Sequence, residues 1–333
     1  MTPTPTLTTM PEPTSRLARF RAQNGWVVGV ALLLLAMIFV RYLQVENFGG
    51  FELRALTAGT LMLALLAMAQ GVVVISGGIN LAVGALMVLA NCVSAWLMED
   101  ASFGASILVA VGTVVGIALL SGLMGWIVTV SGMPDIVVTL ALHFAFVGLA
   151  LLVLGGPGGG SNPQLAQLIV GGFSNPWPSL LWLTGIFCLI WVPFKRSRAG
   201  IATYAIGSDR QAAFLAGIVV KRARIQAYLL SGVFAGLAGL VTTALLGSGS
   251  PQESIALGAL LSSVAAVVLG GVALAGGRGQ LLGPVLAAFV LTLIPAILLS
   301  MGINPNVAVL LEGLIIISVV MLGGLLELRR RKL

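Results

Sequence analysis

Charge is scarce in this chain. Charged residues occupy 8% of its 333 positions, and it holds one histidine and two cysteines. So few charges cannot clothe the surface of a soluble protein of this length, so a soluble globular class is excluded. One histidine and two distant cysteines cannot build a zinc site. No Gly-Lys-Ser/Thr loop of the Walker kind occurs, so the chain does not bind ATP in that manner. Carboxylates within the apolar stretches are too few to form a relay for proton or sodium coupling. No residue is assigned as catalytic or metal-binding, and no cofactor is expected on the chain itself.

What the chain has is apolar sequence. Hydrophobic residues make up 59% of it, and glycine contributes 43 residues. The apolar residues fall in runs of about 18–25, enough to cross about 30 Å of hydrocarbon as helix. Inside lipid every backbone N–H and C=O needs an internal partner, so such runs are helical. Abundant glycine suits helices packed backbone to backbone. The expected fold is therefore an all-α polytopic membrane protein with about ten transmembrane helices. The first runs from Trp26 to about Val40 and is retained, since Arg41-Tyr42-Leu43-Gln44 offers no small-residue cleavage site. The others span approximately 55–75, 80–98, 104–130, 135–154, 178–194, 225–247, 257–275, 281–300 and 306–325. Cys92 and Cys188 lie inside these runs and read as buried small hydrophobes.

The charges orient the bundle. With the N-terminus cytoplasmic, Arg16, Arg19, Arg21, Lys195, Arg196, Arg198, Arg210, Lys221, Arg222, Arg224, Arg278, Arg329, Arg330, Arg331 and Lys332 lie inside. Only Arg41 and Arg54 fall outside, a strong positive-inside bias that places both termini in the cytoplasm. The basic residues thus serve topology and imply no nucleic acid. Glu46, Glu52, Glu99, Asp100 and Glu253 fall on the outer side. Residues 1–25, rich in Thr and Pro, read as a disordered basic tail; 26–326 form the transmembrane domain, and 327–333 a second basic tail. The longest outer connection, about 155–177, carries Gly155-Gly156-Pro157-Gly158-Gly159-Gly160 and is turn-prone.

The longest inner connection, 195–224, is not a plain linker. Gly207-Ser208-Asp209 precedes Arg210 through Ala216, and Gly217 follows. Ser208 or Asp209 can cap a helix start, and Gly217 suits the left-handed position that ends one. The spacing predicts a helix of about two turns in water, either a simple connector or a docking element for a cytoplasmic partner. Gly77 through Gly84 and Gly276 through Gly283 form a weak internal repeat, each opening a span on the inner side after almost no loop.

Four polar residues stand out within the spans. His143 reads as a hydrogen-bonded packing residue, since a proton relay needs an ionisable partner. Asp135, after Pro134, sits where the helix dipole favours negative charge. Asn80 can cap span 3. Glu312, about one and a half turns into span 10, either lines a polar cavity or reaches the outer interface.

At these segments the sequence resembles the permease subunits of bacterial ATP-binding-cassette importers of the ribose, xylose and arabinose class, over about residues 50–325. The resemblance is carried by Val74 through Gly84, by Pro134 through Leu140, and by Arg198 through Gly217 with Tyr204-Ala205-Ile206-Gly207 and Ala212-Ala213. Ala265 through Gly271 and Gly276-Gly277-Arg278-Gly279 complete it. Asn80 departs from the family's usual Asp, Leu260 and Ser262 from its common Glu and Asp, and Glu312 from a frequent basic residue. These departures suit one partner of a pair of unequal permeases.

The resemblance implies a type II-like importer permease in the bacterial inner membrane, a transport subunit rather than an enzyme, moving a small polar solute such as a monosaccharide by alternating access. Its implied partners are two cytoplasmic ATPase subunits or one tandem ATPase, which hydrolyse the ATP, together with a second permease (homodimer or heterodimer) and a periplasmic solute-binding protein. Gly207, Ser208, Asp209, Arg210, Ala212, Ala213 and Gly217 are the expected ATPase-coupling residues. Ser76, Gly77, Gly78, Asn80, Thr139, His143 and Glu312 are the expected pathway or gate residues. Nucleosides or branched amino acids are the alternative cargo, and an ion-coupled secondary transporter is the alternative class.

Overall fold

The computed structural model describes residues 16–45 and 49–304, and beyond them 306–308, 310, 311, 313–315, 317, 318 and 321; for 16–25 it describes the backbone alone. Residues 1–15, Glu46, Glu312 and the tail at 327–333 lie outside the described residues.

Among the described residues the secondary structure is helical, with one isolated antiparallel bridge between Gly158 and Gly249. The chain runs through α1 (Arg16–Gln44), α2 (Gly50–Ile75), α3 (Val83–Met98), α4 (Phe103–Ser131) and α5 (Asp135–Val153). Short α6 (Pro163–Val170) follows, then α7 (Trp177–Ile186), one π turn at Phe187–Trp191, and α8 (Val192–Arg196). Next come α9 (Arg198–Ser208), α10 (Arg210–Leu215), α11 (Val220–Leu246), α12 (Glu253–Leu269) and α13 (Leu282–Ser300).

Seven stretches among the described residues are long and apolar enough to cross a membrane: Trp26–Gln44, α2, α4, α5, Trp177–Arg196, α11 and α13. α3 and α12 are shorter apolar helices. The protein is a polytopic helical membrane protein, as its composition requires.

Burial explains why α2 shows no polar face: from Thr57 to Ile75 nearly every residue is buried, and α3, α7, α11, α12 and α13 surround it. A helix apolar all round is one enclosed all round. α4, α5 and α7 instead present Leu108, Leu119, Leu152 and Leu181 outward, apolar side chains suited to contact with lipid. On α11, Gly232 faces Ala118 and Ser121 of α4, and Gly239 faces Met87 and Ala90 of α3, so three helices meet almost backbone to backbone.

Several boundaries differ from expectation for local reasons. α12 starts at Glu253 and stops at Leu269, not 257–275, because the Val267 carbonyl accepts from the Val272 N–H and closes the helix. Trp177–Arg196 carries its π turn just ahead of Pro193, whose missing N–H and bulky ring disturb the ladder there. The connections after α2 and α12 span residues 76–82 and 270–281 rather than almost nothing. The glycine-rich connection at about 155–177 contains α6, capped by the Asn162 side chain. α1 begins at Arg16, inside the stretch expected to be a tail. Cys92 is buried as expected, but Cys188 is exposed on the π turn, which corrects its reading.

Candidate functional site

The expected coupling segment folds as two helices, not one. α9, which sequence reasoning missed, is capped by Ser197 and ends at Ser208; the chain then turns at Asp209 into α10. Asp209, rather than Ser208, is the cap: its carboxylate accepts from the N–H groups of Gln211 and Ala212 at 2.8 and 3.0 Å. At the other end Gly217 has φ +82°, and the Gly217 and Ile218 N–H groups bond to the Phe214 and Ala213 carbonyls. Ala213 is buried with Ile206 and Ala223, while Phe214 and Leu215 on the same short helix are exposed. Arg210, Gln211 and Ala212 are exposed too.

α9 delivers Gly207 into a three-way contact. A Cβ on Gly207 would overlap both the Ile75 carbonyl that ends α2 and the nitrogen of Gly277. Gly277 donates its N–H to that same Ile75 carbonyl at 2.8 Å. A Cβ on Gly276 would lie 2.7 Å from the Cα of Gly77. The two halves of the sequence repeat thus touch each other, and α9 lies over both. Side chains tie the junction further. Tyr204 donates its hydroxyl to the Gly279 carbonyl at 2.9 Å, and Arg210 Nη2 donates to the Gly77 carbonyl at 3.1 Å. Ser208 Oγ reaches toward the Gly277 carbonyl at 3.5 Å. Burial pushes the Tyr204 phenol up to about 12. Burial, and secondarily the nearby Arg224, holds the Arg210 guanidinium below its ordinary value.

The expected pathway residues gather in the next layer. Residues 76–82 leave the end of α2 and run beside α5. Gly78 packs against the Asp135 carboxylate, which sits in the first turn of α5. Thr139, one turn on, accepts from the Leu81 N–H at 3.1 Å and donates to the Asp135 carbonyl at 2.8 Å. His143, one further turn on, holds the Leu81 carbonyl with Nδ1 at 3.0 Å. Ser76 donates to Val73 within α2. Asn80 is not the cap of α3, which is Ala82 with no side-chain partner. Asn80 instead accepts from the Ala82 N–H at 2.9 Å and donates to Ser231 of α11 at 3.3 Å. Ser76, Thr139, His143 and Asn80 are all buried.

Three partners escaped sequence reasoning. Asp135 does more than favour a helix dipole: Arg224 of α11 donates to both its carboxylate oxygens, and the Tyr228 hydroxyl donates to Oδ2 at 3.1 Å. Arg224 and Tyr228 lie four residues apart, so they share one face of a helix, and that spacing was the available signal. His143 has an ionisable partner. Its Nε2 meets Glu253 Oε1 at 2.9 Å. Glu253 therefore lies not on the outer side but at mid-length of α5, since His143 is the ninth residue of that helix.

A family described as "Branched-chain amino acid transport system / permease component" matches residues 53–320. The chain belongs to this family. It is similar to the fructose import permease protein of Rhizobium meliloti, with 30% identity over 92% of this chain and 87% of the relative. It is similar also to a probable ABC transporter permease protein of Sinorhizobium fredii, with 32% identity over 91% and 90%. The ribose import permease protein of Escherichia coli K12 is 29% identical over 89% and 92%. No solved structure matches. The permease is thus the membrane subunit of an ATP-binding-cassette importer, and its work is transport rather than catalysis. The residues that sequence reasoning assigned to coupling and to the pathway lie in adjoining layers of the permease, Glu312 excepted, which lies outside the described residues.

Proposed function

We propose that the permease imports a monosaccharide through the bacterial inner membrane by alternating access, driven by ATPase subunits that dock on α9 and α10. The relatives similar over about nine tenths of this chain are named for ribose and fructose, which favours a sugar over the amino acids in the family's description. In this reading the chain spans the membrane ten times with both termini cytoplasmic, and 195–224 faces the cytoplasm, as the basic residues there favour. A second permease, equal or unequal, completes the channel, and a periplasmic binding protein delivers the cargo.

The observation that carries the reading is the glycine junction. α10 exposes Phe214 and Leu215, side chains that suit a protein partner. α9, joined to it through the Asp209 cap, rests on the carbonyl that ends α2 and on Gly277. A push on Phe214 and Leu215 therefore reaches the turn after α2, and through Thr139 and His143 it reaches α5. Gly207, Ser208, Asp209, Arg210, Ala212, Ala213 and Gly217 are the coupling residues in this scheme. Ser76, Gly77, Gly78, Asn80, Thr139 and His143 are the gate that they move, and Glu312 belongs to it by sequence position.

Reconstitution tests the proposal. Liposomes holding the permease alone should not concentrate ribose or fructose. Adding ATPase, binding protein and ATP should start uptake of one of them. Uptake by the permease alone, driven by an ion gradient, would overturn the proposal in favour of a secondary transporter.

A further inference from the structure

The pair formed by His143 and Glu253 lies where two interrupted segments of chain meet. Residues 76–82 approach α5 from one end, and α3 begins at Val83, two residues after Leu81. Residues 247–252 approach from the other, bridged at Gly249 to Gly158 and at Ser250 to the Asn91 side chain, and α12 begins at Glu253. Helices that start inside the bundle, beside the middle of a spanning helix, are where transporters place polar groups for their cargo. A carboxylate there is costly unless it serves a partner or an aqueous route.

The hydrogen bonds define the pair's state. The Leu81 carbonyl can only accept, so Nδ1 of His143 carries a hydrogen. Nε2 and Glu253 Oε1, at 2.9 Å, then require one proton between them. With that proton the pair is neutral in sum, whichever atom holds it. Asp135, two turns earlier on α5, is engaged by Arg224. The position therefore offers acceptor oxygens without net charge.

Exposure gives the pair a direction. His143 is fully buried, but the Glu253 side chain is 37% exposed. Beside them Phe144, its ring centroid 5.5 Å from that of His143, is 60% exposed. Leu140 and Ala141 of α5 and Ser254, Leu257 and Gly258 of α12 are exposed as well. An open aromatic ring beside the histidine that orients the carboxylate matches a molecule with both C–H faces and hydroxyl groups. Sites of this type are mainly apolar with few, well-placed polar groups.

We propose that Glu253 is a cargo-contacting residue that accepts hydrogen bonds from an uncharged polyhydroxy solute, with His143 as its positioning residue and Phe144 as the apolar wall. This rests on the importer reading above and names the site that reading leaves open.

The test uses the complete importer in liposomes, with labelled ribose, fructose and leucine as probes. Glu253→Ala should lower the initial rate of sugar uptake about tenfold or more, the equivalent of one lost hydrogen bond of about 1.4 kcal/mol. ATP hydrolysis stimulated by loaded binding protein should persist. Glu253→Gln, which can donate to His143 and still present an oxygen, should stay within about threefold of wild type. His143→Asn, which keeps a donor for Leu81 but cannot reach Glu253, should slow uptake, and His143→Gln should recover part of it. Should the alanine variant fail to fold, Glu253→Met against Glu253→Gln reads the same contrast. Sugar uptake unchanged in Glu253→Ala or Glu253→Met overturns the inference and leaves the importer reading intact. So does loss of uptake together with stimulated hydrolysis in the glutamine variant. Leucine uptake by wild type, with neither sugar moved, overturns both.

Discussion

Arg224 and Asp135 form an ion pair between α11 and the first turn of α5, with both side chains largely buried. The pair joins the helix that follows the basic loop to the helix that carries Thr139 and His143. Tyr228 adds a second donor to the same carboxylate.

Removing one member leaves the other buried with its charge uncompensated, although Asp135 would keep the Tyr228 hydroxyl. Breaking a buried pair costs about 3–5 kcal/mol, whereas replacing both partners together costs much less. Arg224→Met alone should therefore destabilise the detergent-solubilised permease strongly, and Arg224→Met with Asp135→Leu should recover most of the loss. Thermal unfolding of the two single variants and the double variant measures the coupling. Additive losses would show that the pair contributes nothing of its own.

The glycines at 207 and 217 should behave differently under substitution. Gly207 is closed in by the Ile75 carbonyl and Gly277, so even Gly207→Ala must separate α9 from the turn after α2. Sugar uptake per ATP hydrolysed should fall severalfold, while binding of the ATPase, measured by co-purification, is kept. Gly217 has open space around it, and its requirement is the left-handed backbone. Gly217→Val should cost about 1–2 kcal/mol in local stability and loosen the end of α10, so hydrogen exchange at residues 210–218 should rise.

Asn80 fixes the chain before α3 through one bond to backbone and one to Ser231. Asn80→Ala should cost about 1–3 kcal/mol, two hydrogen bonds at roughly 0.5–1.5 kcal/mol each. Ser231→Ala keeps the bond from Asn80 to Ala82 and removes only the tie to α11, so its loss should be smaller than that of Asn80→Ala if the turn matters more than the tie. Thermal midpoints of the two variants decide between them.

Tyr204 supplies a pH dependence of known sign. Its ordinary value is 10.0 and burial raises it to about 12. Between those values the unfolded chain releases the proton while the folded chain keeps it, so stability falls as pH rises through that window. Tyr204→Phe should flatten this part of the stability profile. An unchanged slope would show that Tyr204 is not the group responsible.

Much of this was legible in the sequence because it is local. The helical membrane-spanning character, a cap at Ser208 or Asp209, the turn at Gly217 and the class of the protein depend on residues close together in the chain. What could not be read depends on contacts between distant segments. Arg224 looked like one more basic residue of a loop, and nothing near it in sequence names Asp135, 89 positions away. Glu253 seemed to belong to an outer loop because apolar periodicity started α12 four residues late, at 257 rather than at Glu253. α9 was hidden because its Gly200 and Gly207 argue against a helix on propensity, and only the close packing of both glycines explains them.

The enclosure of α2 bears on how the permease is made. This helix leaves the ribosome early, yet α11, α12 and α13, which wall it in, are synthesised long afterwards. During that interval lipid must stand in for neighbours that do not yet exist, and a helix whose polar side chains are few, Gln70 chief among them, can wait there at small cost. A nascent chain halted before α11 would hold its future centre against the bilayer, and only the last third of translation would draw that centre inward.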